Sequence, residues 1–206
     1  SPMARWFLTS LLSFSLVSVA PAASSAHGSL HPGIQSLIDA SGGSCTTFSI
    51  NEEKGYWVTA FHCVQGVEQT LRIGAKVADV VETWPADDLA LLHTAVGALS
   101  LSLSDRAPQY GEKLIAAGLP LGQGEWVWSE GFVMGIDWPT RGRQMLMAFL
   151  PLCHGHSGSP IGLQETGEVV SVYQQLFLLN DEACSAISLG VSWERLQTDL
   201  SAYWAK

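Results

Sequence analysis

The amino-acid sequence predicts an all-β protein of two six-stranded antiparallel β-barrels with a C-terminal helix. Three observations point there. Short runs of β-branched, aromatic and aliphatic residues, each bounded by Gly, Pro or Asp, recur from Ser44 onward. Residues 105–111, with Pro108 and no apolar periodicity, split these runs into two sets. Only the end of the chain, where Trp193, Leu196, Leu200 and Trp204 recur at spacings of three and four, reads as helix.

Taken in order, the first 26 residues read as an export signal. Ser1-Pro2 stands before Met3 as a non-native remnant or translated upstream sequence. Arg5 supplies a positive start, and residues 6–20 form an apolar run broken by Thr9 and serines. Small residues follow, with cleavage fitting after Ala22 or Ala26. A retained anchor needs about 20 apolar residues. This run is shorter and serine-dotted, so cleavage and export are expected, to the periplasm or the exterior, with no stable membrane insertion afterwards.

Residues 27–43 are a polar, glycine-containing lead-in with a short amphipathic patch at Ile34, Leu37 and Ile38. Strands are expected at 45–50 and 56–60, joined by the polar turn 51–55, then at 71–73, 76–83, 89–93 and, by alternation, 100–103. The second set covers 113–117, 126–137, 144–150, 160–163, 169–179 and 187–191. The expected division is a signal over 1–26, an N-terminal barrel with its lead-in over 27–108, and a C-terminal barrel plus helix over 109–206.

Composition narrows the function. Hydrophobic residues make up 47% and charged ones 14%, a balance that suits a well-buried, ordered chain. The net charge of −9 and pI near 5.0 argue against nucleic acid or an anionic membrane surface as partner.

One stretch concentrates chemistry: Cys153-His154-Gly155-His156-Ser157-Gly158-Ser159-Pro160. A serine hydroxyl is a weak nucleophile until a neighbouring base takes its proton. Gly155 admits backbone geometry closed to other residues and lets a carbonyl approach. The N–H groups of Gly155 and Ser157 then suit an oxyanion hole, where one donor is worth roughly 3–4 kcal/mol. His62, in Thr59-Ala60-Phe61-His62-Cys63, is the candidate base. Asp88, opening Asp88-Leu89-Ala90-Leu91-Leu92, is the candidate carboxylate to fix its tautomer, with Asp87 as rival.

These three segments resemble the histidine, aspartate and serine motifs of the chymotrypsin-like serine proteases, in that family's order. Phe61 departs from the small residue usual before the histidine. Residues 155–161 with 167–173 are similar to flavivirus proteases. Residues 116–122 and 129–133 are similar to periplasmic heat-shock proteases, which add a peptide-binding domain; none is expected here, where the sequence ends at Lys206. The resemblance implies a double barrel, catalytic roles for His62, Asp88 and Ser157, and an oxyanion hole at Gly155 and Ser157. It also implies a protein or peptide substrate and no metal or organic cofactor.

The resemblance further implies two disulfides, Cys45 with Cys63 and Cys153 with Cys184, each stabilising by about 3 kcal/mol. A zinc site at Cys153, His154 and His156 is the rival use of these residues, but no paired C-x-x-C spacing accompanies it. The specificity pocket is expected around Pro151, Leu152, Ser171, Val172, Tyr173 and Gly190. With no acid at its floor, Arg or Lys is not the expected preference, although Asp181 and Glu182 stand near the rim. His156 replaces the aspartate that animal members pair with a freshly cut N-terminus, so that activation switch is expected to be absent. Two other functions fit less well: an inactive peptide-binding relative, which has no need of all three motifs, and an esterase of another fold, which has a different motif order.

Overall fold

The computed structural model describes residues 33–67, 71–95, 98–119, 127–140, 142–177 and 183–206. The expected signal, most of the lead-in, and Asp181 and Glu182 lie outside these residues. Twelve strands form two closed barrels. The first contains β1 (Ile34–Ile38), β2 (Ser44–Asn51), β3 (Tyr56–Ala60), β4 (Leu71–Ile73), β5 (Lys76–Trp84) and β6 (Leu89–His93), in the spatial order β1-β2-β3-β6-β5-β4. The second contains β7 (Lys113–Gly118), β8 (Val127–Thr140), β9 (Arg143–Cys153), β10 (Pro160–Leu163), β11 (Val169–Leu176) and β12 (Cys184–Val191). Its spatial order, β7-β8-β9-β12-β11-β10, repeats that of the first barrel. Every ladder between strands is antiparallel.

Two expectations about the first barrel need correction, although its strand count stands. The patch at Ile34, Leu37 and Ile38 is strand β1, which pairs with β2 and β4 and so closes the barrel. Its helix-like spacing is overridden by tertiary pairing, because each β1 carbonyl and N–H needs a ladder partner once buried. The alternating stretch 100–103 is not a barrel strand. It crosses from one barrel to the other, with Leu101 N–H donating to Ser49 O at 2.9 Å and Val169 N–H donating to Ser102 O at 2.8 Å. Leu103 makes only an isolated parallel bridge to Val169.

The apolar runs are continuous where a strand is buried on both faces. In β6, Ala90 and Leu92 fill the first barrel while Leu89 and Leu91 face the second. In β7, Leu114 and Ala116 fill the second barrel while Ile115 and Ala117 face the first. The core between the barrels therefore combines Phe48, Ile50, Val58, Leu89 and Leu91 with Ile115, Ala117, Val169, Val172 and Val191.

Helix α1 (Trp193–Leu200) starts at Ser192, whose hydroxyl caps the Arg195 N–H. Leu196 and Leu200 enter the shared core, and Trp204 follows them. The Trp204 indole N–H donates to Leu101 O at 2.6 Å, and its ring lies 6.0 Å from Phe48. Trp204→Ala should therefore cost about 3–5 kcal/mol of stability, read as a lower urea midpoint with a single transition for both barrels.

Candidate active site

Register places the candidate base beside the candidate carboxylate. Ala60, the last residue of β3, pairs with Leu89, the first of β6, so His62 and Asp88 stand just beyond the same ladder end. Residues 61–63 form a 3-10 turn, and Pro85–Asp87 form another whose fixed proline φ starts the turn. Asp88 follows at φ 51° and ψ 47°, a left-handed geometry that Asp tolerates better than most residues. Its carbonyl accepts the Phe61 N–H at 3.1 Å.

That geometry turns the carboxylate onto His62 twice. Asp88 Oδ1 accepts the His62 backbone N–H at 2.8 Å, and Oδ2 lies 2.8 Å from His62 Nδ1. A carboxylate on Nδ1 keeps the proton there and leaves Nε2 as acceptor. The His62 side chain is 44% exposed and that of Asp88 14%, so the pair opens to solvent on the histidine side.

The rival, Asp87, points elsewhere. Its Oδ2 accepts from Arg195 Nε at 2.9 Å and from the same guanidinium's terminal nitrogen at 2.6 Å. Burial opposes its charge, but the Arg195 hydrogen bonds, a hydrogen bond to Asp199 and the positive charges of Arg195 and Arg143 together outweigh burial and hold its carboxyl below the usual range. Asp199 on α1 lies beside Asp87, its Oδ1 3.7 Å from the same guanidinium nitrogen. Burial, then a hydrogen bond to Asp87 and that residue's negative charge, push Asp199 up to about 6.

Ser157 occupies the loop between β9 and β10, as His62 occupies the loop after the third strand of the first barrel. Cys153 to His156 make a turn in which His156 N–H donates to Cys153 O at 3.1 Å and Gly155 has φ 94°. Among the described residues, neither the Gly155 nor the Ser157 N–H has an intramolecular acceptor. Gly158 at φ 88° passes so near the Thr46 carbonyl and Thr59 hydroxyl that a Cβ there would collide with both.

Three residues that sequence reasoning did not single out support these loops. Thr46 in β2 donates its backbone N–H to Ser157 O at 2.8 Å and its hydroxyl to Gly155 O at 3.0 Å. Gln174 in β11 is buried and donates its amide to the carbonyls of Asp87 at 2.6 Å and Asp88 at 3.1 Å. Arg195 holds Asp87 away from His62. The glutamine pair Gln174-Gln175 closing a run rich in valine was the legible signal. Nothing local marks Thr46 or Arg195.

Both disulfides are present, Cys45–Cys63 and Cys153–Cys184. Cys153 is thereby engaged, and His156 is buried with Nδ1 accepting the Cys153 N–H at 3.0 Å, so these two are not poised together for a metal. Among the described residues, Cys45, His62 and Cys63 bring potential ligand atoms within 4.8 Å of one another, but there the sulfurs are bonded together.

Of the expected pocket residues, Leu152, Ser171, Val172 and Tyr173 are at most 1% exposed. Ser171 donates its hydroxyl to Val191 O at 2.6 Å, and Gly190 packs its backbone against that hydroxyl. Pro151 is exposed, and β11 reaches the surface only from Gln175 onward.

Two closed barrels of repeated topology, with a carboxylate-held histidine on one and a glycine-flanked serine loop on the other, define a protein of the two-barrel serine-protease class. The sequence profile of the trypsin-like peptidase domain matches residues 43–172, and the chain belongs to that family. Similar solved structures include the HtrA-type protease AlgW with a tripeptide, at TM-score 0.75 and 18% identity, covering 86% of this chain and 62% of AlgW's. Rv3671c from M. tuberculosis H37Rv, as a mutant in its inactive form, gives TM-score 0.71 at 18% identity, covering 85% of this chain and 88% of that one. A serine endoprotease from Yersinia pestis gives 0.71 at 20%, covering 86% and 64%. This chain thus spans less than two thirds of the AlgW and Yersinia chains. No curated protein shows significant sequence similarity.

Two outcomes follow from this arrangement. Thr46→Val keeps shape but leaves the Gly155 carbonyl without its donor, which should cost about 1–3 kcal/mol of stability, measured by urea titration. Asp199, raised to about 6 from 3.8, binds its proton more tightly folded than unfolded, so its contribution falls as pH rises between those values. Asp199→Asn should remove that loss and raise stability at pH 8 by up to about 3 kcal/mol, with little gain at pH 4, as read by thermal melts across pH.

Proposed function

We propose that this chain is an exported serine endopeptidase working through Ser157, His62 and Asp88. The observation that carries the reading is the two-point grip of Asp88 on His62, which leaves Nε2 free to act as base. Ser157 Oγ attacks the scissile carbonyl carbon while its proton passes to His62 Nε2. Negative charge develops on the carbonyl oxygen, where the unpartnered N–H groups of Gly155 and Ser157 receive it. His62 then gives the proton to the departing amine, leaving an acyl ester on Ser157. Water, deprotonated by His62, releases the acid and restores the serine.

The substrate is an extended peptide, and AlgW, a structural neighbour, has been solved with a tripeptide and a decapeptide. Leu152, Tyr173 and Gly190 back the pocket from inside the barrel, and the half-exposed residues 175–177 of β11 and just beyond form the wall nearer solvent. No acid stands among these residues, which favours an uncharged side chain on the acyl side of the cut bond. Two disulfides fit an extracytoplasmic site for the protein. No helix among the described residues is long and apolar enough to cross a membrane.

A fluorophosphonate probe should label Ser157 in native protein and not in denatured or Ser157→Ala protein, with the modified peptide located by mass spectrometry. Ser157→Ala and Asp88→Asn should each lower kcat on a cleavable peptide by about 10⁴-fold. Absence of labelling in folded, disulfide-bonded protein would sink the reading in favour of a peptide-binding module.

A further inference from the structure

His156 lies beside the nucleophile yet takes no part in the proposed proton transfers. It is 1% exposed. Its Nδ1 accepts the Cys153 N–H at 3.0 Å, while its own backbone N–H donates to the Cys153 carbonyl at 3.1 Å. Two hydrogen bonds thus join the first and last residues of the turn that carries Gly155. The backbone bond alone fixes a turn; the side-chain bond also fixes how Cys153 enters it.

The ring's protonation state follows from its partners. An Nδ1 that accepts leaves the proton on Nε2. Nε2 faces the Val127 carbonyl without reaching a hydrogen bond, and it has no partner among the described residues. Around the ring stand Thr46 Oγ1, Ser159 Oγ and Gly118, where an added Cβ would lie 2.7 Å from His156 Cδ2 and 2.9 Å from Thr46 Oγ1. Among the described residues, the groups around the ring are hydroxyls and backbone, brought by β2, the residue before β10, the end of β7, the start of β8 and the end of β9. No charged side chain contributes to the ring's shift, and burial lowers its pKa. Exposed His154 is the neighbouring ionisable group within the turn.

We propose that His156 is a positioning residue for the oxyanion hole, a neutral buried strut whose Nδ1 bond to Cys153 N–H holds the turn that aims the Gly155 N–H. The inference rests on the protease reading above. A buried ion in this place would need a counter-ion; a neutral ring needs none, so the turn is set by folding alone. Protonating Nδ1 would replace its acceptor with a donor, abolish the Cys153 N–H bond and redirect the ring to the Cys153 carbonyl, 3.3 Å away.

The test compares His156→Asn, His156→Gln and His156→Leu in folded protein. Asn places Oδ1 at the position of Nδ1, whereas Gln moves its acceptor one bond further out and Leu has none. Leu and Gln should lose kcat by about 10²-fold, the scale of one oxyanion donor, with KM little changed, and Asn should restore it to within a few fold. Equal activity of Asn and Gln would overturn the strut; that comparison survives a Leu variant that fails to fold. The Cys153 amide shift, followed by ¹⁵N–¹H NMR, separates the two readings. An inactive wild type sinks the protease, whereas a Cys153 amide shift that is the same in wild type, His156→Asn and His156→Leu overturns the strut even in an active enzyme.

Discussion

Thr46 engages every polar atom it has along the seam between the barrels. Its N–H donates to Ser157 O, its carbonyl accepts the Thr59 hydroxyl, and its own hydroxyl donates to Gly155 O while accepting the Leu119 N–H. One residue of β2 thereby fixes the first barrel, the end of β7 and the serine loop against one another. Because buried backbone groups need partners, neither loop can slide along the seam without orphaning several of them. The placement of groups from two barrels at one site depends on this.

The seam is apolar beside that line. Leu89 and Leu91 from β6 meet Ile115 and Ala117 from β7, and α1 covers the edge with Leu196 and Leu200, followed by Trp204. The same β6 whose Leu89 and Leu91 join the barrels begins directly after Asp88. Packing between barrels and aim of the carboxylate are therefore one structural fact. Gln174 ties them together by donating to the backbone on either side of the Asp87–Asp88 peptide.

Electrostatics sorts the two adjacent carboxylates. Asp87 is drawn inward to Arg195, with Asp199 beside it, and Asp88 outward to His62. The left-handed φ at Asp88 makes the chain reverse between them. On the serine side the order is opposite: a neutral imidazole, His156, is buried with no counter-ion among the described residues, and the Gly155 and Ser157 N–H groups have no acceptor among them.

By itself the sequence determined the all-β class, the count of strands, the terminal helix, both cysteine pairings and the segments that meet at the site. Those features are local, or follow from a resemblance carried by contiguous motifs. Asp88 was separable from Asp87 because it holds the position of the family's aspartate motif, directly before Leu89-Ala90-Leu91-Leu92. Tertiary structure decided the rest. The amphipathic patch at Ile34 became a strand, and 100–103 became a crossing, because ladder partners come from distant parts of the chain and periodicity does not report them. Thr46, Gln174 and Arg195 acquired their roles in the same way, through bonds spanning 86 to 109 residues. Such contacts arise only when two barrels close on each other, since each residue's own neighbours in sequence say nothing about which polar group will be left buried opposite it.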